Sequence, residues 1–204
     1  EGKNKTAPDL FSAGTLATAP NGHGTEYGMT IETLEKPEQA QAWVDKRVAE
    51  GSDFIKIVME HGGAAHTFNS LDVATVQALI KASHARKKLA VVHISTVEDA
   101  RAALAAGADG LIHLYNGTEI SEAQIKELIT LAKKHHSFVI PTFSVLESMA
   151  GVHPDDILQD SSITALLSKS QLANLNMSYG KVTKPELLVA PSKLSAAFNA
   201  AHVP

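Results

Sequence analysis

Lys56, His93 and His113 each sit inside a Val/Ile/Leu-rich run: FIKIVME, LAVVHIS and GLIHLYNG. One amine and two imidazoles are side chains that can bind a metal ion when neutral, and in an apolar strand each needs a partner. Taken singly, such a lysine usually snorkels from a strand end and such a histidine is usually a hydrogen-bonded core residue. Three in succession, one per strand-like segment, point instead to a shared site.

The segments between them are built to bring the three together. SLDVATVQALIKASHARKK repeats apolar residues at Leu71, Val73, Val76, Leu79 and Ile80, a helical period. TVEDARAALAAGADG opens with a Thr96–Asp99 spacing close to a capping box and closes on Gly107. Both intervals therefore read as strand, helix, strand. A crossover helix makes consecutive strands parallel, and in a (β/α) barrel all strand C-termini point to one face. The expected fold class is α/β, a partial TIM-type (β/α)8 barrel.

The rest of the chain extends the same alternation. FSAGTLATA, residues 11–19, reads as a short strand followed by the Gly-rich loop PNGHGTEYGMT. KPEQAQAWVDKRVAEG reads as a helix, with Pro37 in its first turn, Glu38 at its N-terminus and Gly51 stopping it. SEAQIKELITLAKKHH is a helix capped by Ser121 and ending in Lys133, Lys134, His135 and His136. SFVIPTFSV reads as a fifth strand with Pro141 near its end. The alternation then breaks: residues 144–183 suggest short helices inserted at the barrel mouth, and KPELLVAPSKLSAAFNAAHVP one more helix, kinked at Pro191.

Composition narrows the function classes. The chain has 204 residues, 44% of them hydrophobic and 20% charged, which suits one globular domain. A formal net charge of -4 gives no electrostatic reason to expect nucleic acid or an anionic membrane as partner. No apolar run approaches the roughly 20 residues that span a bilayer, and EGKNKTAPDL has no apolar signal core. The compartment stays open between cytoplasm and periplasm. The absence of cysteine excludes thiolate catalysis and Cys-ligated zinc, leaving His, carboxylates and Lys for metal chemistry.

The motifs AGTLATAPNGHGTEYG, GSDFIKIV, KLAVVHISTVEDARAALAAGADGLIHL and FVIPTFSV, over most of residues 12–146, resemble the amidohydrolase superfamily, in its imidazolonepropionase-like and Xaa-Pro dipeptidase-like branch. The resemblance implies that the chain covers about strands 3 to 7 of the barrel, with the helical insertion after strand 7. It also implies a hydrolase of amide, peptide-like or cyclic amide C–N bonds that uses metal-activated water and takes a small amide or dipeptide-like substrate. Lys56 falls at the family's carboxylated lysine, a carbamate formed with carbon dioxide that bridges two metals. His93 and His113 fall at the fifth- and sixth-strand histidine ligands. One or two divalent ions, zinc foremost, are the implied cofactor.

The family's first-strand His-x-His pair is absent from this sequence, and residues 1–204 do not reach an eighth strand with its aspartate. Residues 1–204 are therefore expected to form an incomplete hydrolase barrel domain without strands 1, 2 and 8, completed by a further chain segment or a homo-oligomer. Such a piece is alternatively an inactive fragment or a binding and assembly module. A Schiff-base lyase using Lys56 is a third reading.

Other residues are candidates around this set. His23 and Tyr27 in the Gly-rich loop are expected to face substrate, and Tyr115 to donate a hydrogen bond to a substrate carbonyl. His61 and His66 follow the Lys56 strand and lie within reach of the mouth. Thr142 and Ser144 invite a nucleophile reading, but no G-x-S-x-G elbow surrounds them. His84, His135, His136, His153 and His202 read as solvated.

Overall fold

The computed structural model describes residue 6, residues 8–63 and residues 66–204; the other residues of the N-terminal EGKNKTAPDL stretch lie outside it. In chain order, a 3-10 turn, Pro37–Gln39, leads into α1 (Ala40–Ala49), and β1 (Ile55–Val58) follows. A two-residue hairpin comes next, β2 (Gly62–Gly63) with β3 (His66–Thr67), then α2 (Val73–Ala85), β4 (Ala90–His93) and α3 (Val97–Ala105). The series continues with β5 (Gly110–Ile112), α4 (Glu122–His135) and β6 (Phe138–Ile140). Five helices complete it: α5 (Phe143–Met149), α6 (Asp155–Gln159), α7 (Ser161–Thr164), α8 (Lys169–Leu175) and α9 (Val189–Ala200).

Helix ends follow local chemistry. Thr96 accepts from the Asp99 N–H at the start of α3, and Ser121 forms a reciprocal capping box with Gln124 at the start of α4. Asp72 caps α2 by accepting from the Thr75 N–H. Gly51 and Gly107 adopt φ +96° and +88° just past α1 and α3, the left-handed geometry that ends a helix without a Cβ penalty.

The four-stranded sheet is wholly parallel: β1, β4, β5 and β6 lie side by side in chain order, and the antiparallel β2–β3 pair stands apart from it. The connecting helices pack against one face of the sheet. That face holds the core. Ile55, Ile57, Ala90, Val92 and Leu111 are fully covered there, in one cluster with Val44, Leu79, Ile80, Leu104, Leu128 and Leu194 from the helices.

The opposite face carries the rows Lys56–Val91–Gly110–Phe138 and Val58–His93–Ile112–Ile140. It is less covered toward β6, where Ile140 is 45% exposed. Gly110 is required there, since a Cβ would lie 2.4 Å from the Phe138 ring that folds across it.

Four expectations need correction. The strand over residues 11–19 shrinks to a single bridge: the Ala17 N–H donates to the Lys56 carbonyl and the Val58 N–H to the Ala17 carbonyl. Gly14, at φ +63°, breaks the extended run before it. The fifth strand ends at Ile140, because Pro141 cannot donate to the ladder and Thr142 at φ +52° turns the chain into α5. Pro191 kinks nothing, as it lies in the first turn of α9, where its missing N–H is no loss. Finally, His135 is not simply solvated: it packs beside Gly107 with Nε2 buried, whereas His84 is exposed as expected, its Nε2 2.8 Å from Asp109 Oδ2. Residues 144–183 hold the short helices α5 to α8, as their scattered apolar positions suggest.

Candidate functional site

His93 is the last residue of β4 and is buried. Side chains alternate along a strand, and parallel register partners share a face. Lys56, two positions before Val58 on β1, therefore lies on the same face as His93. His113 is different. One step past Ile112, it should by alternation point toward the helices with Leu111. Instead its backbone adopts φ +71°, while its N–H still donates to the Ile140 carbonyl at 3.0 Å. A left-handed residue at a strand end reverses side-chain direction, at a cost of roughly 1–3 kcal/mol that surrounding contacts must offset. The reversal sets the His113 ring edge-on to His93, with centroids 4.5 Å apart.

Two contacts hold these rings. His113 Nδ1 lies 2.5 Å from the hydroxyl of Thr142, itself left-handed. His93 Nε2 lies 3.2 Å from Glu60 Oε2. The other Glu60 oxygen accepts from the Gly62 N–H at 2.6 Å and the Ser95 hydroxyl at 3.1 Å.

Burial lowers the proton affinity of both imidazoles. For His93 it outweighs the opposing pull of Glu60, and His23 and Lys56 lower it further. For His113 burial, reinforced by His93 and Lys56, brings the pKa down to about 4. Burial also lowers the Lys56 ammonium pKa. Burial alone would raise the Glu60 carboxyl, but hydrogen bonds from His93, Gly62 and Ser95 take it down to about 2. The Glu60–His93 contact at neutral pH is thus a neutral ring donating to a carboxylate, not an ion pair.

The structure adds His23 to this group, its ring centroid 5.0 Å from His93 and 5.2 Å from Phe68. Its Nδ1 lies 2.6 Å from Glu26 Oε1 without the alignment of a hydrogen bond. Tyr27 flanks His23 edge-on at 5.8 Å and is largely exposed. Tyr115 packs on the core and over Gly117, lining a cleft of about 670 Å³ with Gln124 of α4 and Lys193 of α9. His61 is exposed, with Nδ1 3.7 Å from Asp99 Oδ1. His66 starts β3, and its side chain lies outside the described part of the structure.

Neither Glu60 nor the anchoring role of Thr142 stands out in the sequence. For Glu60 a signal exists: positions 56, 58 and 60 alternate onto one face, so a carboxylate follows Lys56 at a two-strand-period distance. For Thr142 there is none, because its contact depends on two left-handed backbones.

Neutral imidazoles beside a desolvated amine match the donor types a divalent ion of borderline softness prefers. The set is partial. Among the described residues, no three His, Asp or Glu side chains form a group that could hold a metal ion. No helix among them is long and apolar enough to cross a membrane.

No family model matches the chain, and no curated protein matches it. Solved structures do, and the likeness is one of fold. A Xaa-Pro dipeptidase with bound methionine shares it at TM-score 0.60 and 21% identity, over 94% of this chain and 44% of that one. Ochratoxinase from A. niger aligns at TM-score 0.66 and 16% identity, over 96% and 45%. A prolidase complexed with N-methylphosphonate-L-proline aligns at 0.56 and 18%, over 96% and 58%. The chain spans about half the length of the structures it matches.

Proposed function

We propose that this chain is an internal segment of a metal-dependent amidohydrolase barrel that cleaves amide, peptide-like or cyclic amide C–N bonds. The observation that carries the reading is the left-handed turn at His113, which brings its ring against His93 on the sheet face that bears Lys56. A strained backbone that gathers two neutral imidazoles and an amine has no packing purpose of its own. The names of the matching structures, dipeptidase, prolidase and ochratoxinase, support hydrolysis as the reaction class.

In this reading Lys56, His93 and His113 hold the ion, zinc foremost. Bound there, it supplies Lewis acidity and lowers the pKa of water. The depressed Lys56 pKa keeps more of the amine neutral, the form that adds to carbon dioxide, losing a proton to give the carbamate. His23 and Tyr27 border the rings and take the substrate side; Tyr115, in its cleft, contacts a more remote part of the ligand. The partly bare face at Ile140 is where the remaining strands of a longer chain, or a second copy, complete the enclosure.

Equilibrium dialysis of the chain against zinc, with and without bicarbonate, tests this. Wild type should take up near-stoichiometric zinc, more with bicarbonate; Lys56→Gln should lose the bicarbonate effect, and the His93→Ala/His113→Ala pair should lose uptake. No uptake by folded wild type would refute the ligand assignment for this chain. Borohydride trapping of a carbonyl compound on Lys56 would assign the amine to Schiff-base chemistry instead.

A further inference from the structure

We infer that Glu60 is a positioning residue that fixes the tautomer of His93, holding the proton on Nε2 and leaving the Nδ1 lone pair free to bind a ligand. The inference deepens the metal-hydrolase reading and rests on it only for what Nδ1 would bind.

The argument is one of donors and acceptors. Glu60 Oε1 faces the Gly62 N–H at 2.6 Å, a group that can only donate, and the Ser95 hydroxyl at 3.1 Å. That fixes which oxygen points where. Oε2 then faces His93 Nε2 at 3.2 Å. An ionised carboxylate only accepts, so Nε2 must carry the hydrogen. In a neutral imidazole the other nitrogen is then a lone-pair donor. The Glu60 N–H donates to the Ser70 hydroxyl at 3.2 Å, so the residue is tethered by its backbone as well as its carboxylate. A carboxylate behind a ligating histidine sets its ring orientation and raises its basicity, and losing one typically costs 10–100-fold in metal affinity.

Glu60→Gln makes this falsifiable with almost no change of shape. The amide has one acceptor oxygen and one donor nitrogen. The Gly62 N–H and Ser95 hydroxyl claim the oxygen, so the NH2 group must face His93 Nε2 and donate to it. The His93 hydrogen is then driven to Nδ1, the reverse of wild type. Glu60→Ala removes the bias and should give a mixture of both forms.

The experiment is nitrogen-15 NMR of the His93 imidazole in the metal-free 204-residue chain, for wild type, Glu60→Gln and Glu60→Ala, followed by zinc dialysis of each. The expected result is Nε2–H in wild type and Nδ1–H in Glu60→Gln, with zinc affinity at least 10-fold weaker in the glutamine variant. Nδ1–H in wild type, or the same tautomer in wild type and Glu60→Gln, would overturn the inference. A tautomer reversal in a chain that binds no zinc would uphold the role of Glu60 and sink the metal reading alone.

Discussion

Replacing His113 with Asn tests whether burial of that imidazole makes this chain acid-sensitive. Asn is the substitution of choice because it tolerates the left-handed φ of +71° and retains a polar group toward Thr142. His113 titrates at about 4 in the folded chain against an ordinary 6.5. Above 6.5 the ring is neutral in both folded and unfolded chains, and the full stability is present. As pH falls from 6.5 toward 4 the unfolded chain takes up a proton that the folded one refuses, so stability declines; below 4 both are charged and the decline stops. At ~1.4 kcal/mol per tenfold change in proton affinity, the drop corresponds to an upper limit of roughly 3.4 kcal/mol. The ring is only part-buried and its charged neighbours are screened, so about 1–2 kcal/mol is expected. Glu60, at about 2, keeps its charge throughout this window and cancels in the comparison. The assay is urea unfolding at constant ionic strength from pH 7 to pH 4. Wild type should lose about 1–2 kcal/mol more than His113→Asn over that range. Parallel curves would refute the claim that folding desolvates this ring.

Two further substitutions probe the scaffold that positions the site. Leu128, fully buried on α4 against the sheet, should lose about 2–5 kcal/mol on truncation to Ala, read as a lower urea midpoint with an unchanged slope; a shift below 1 kcal/mol would place it outside the core. Gly110→Ala sets a Cβ 2.4 Å from two Phe138 ring carbons and should cost about 1–3 kcal/mol, with the Phe138 ring resonances displaced; wild-type stability and spectra would mean that the ring has room to move aside.

The helices and the parallel alternation were legible because their causes are local. Thr96 and Ser121 cap the helices they precede, Gly107 ends α3, and apolar residues at helical spacing in residues 70–88 bury Val76, Leu79 and Ile80. Crossovers between apolar strands then make consecutive strands parallel, so one ligand-type side chain per strand segment reads as a single site. The first strand misread for a local reason too: a run of small apolar residues resembles a strand, but an edge segment broken at Gly14 pairs only at Ala17.

Sequence alone thus determined the main helices, the parallel order of the strands between them, and that Lys56, His93 and His113 belong to or border successive strands. Tertiary structure decided which way those side chains face and what holds them. Alternation sends His113 away from His93; only the left-handed backbone, anchored through the Ile140 carbonyl and the Thr142 hydroxyl, turns it back. Glu60 acquires its role only when β1 and β4 pair, because its partners Ser95 and His93 are more than thirty positions away in the chain. Periodicity reports which face a residue occupies within one element. The direction of a hydrogen bond between elements, and hence which imidazole nitrogen carries the proton, depends on distances that exist only after the sheet has formed.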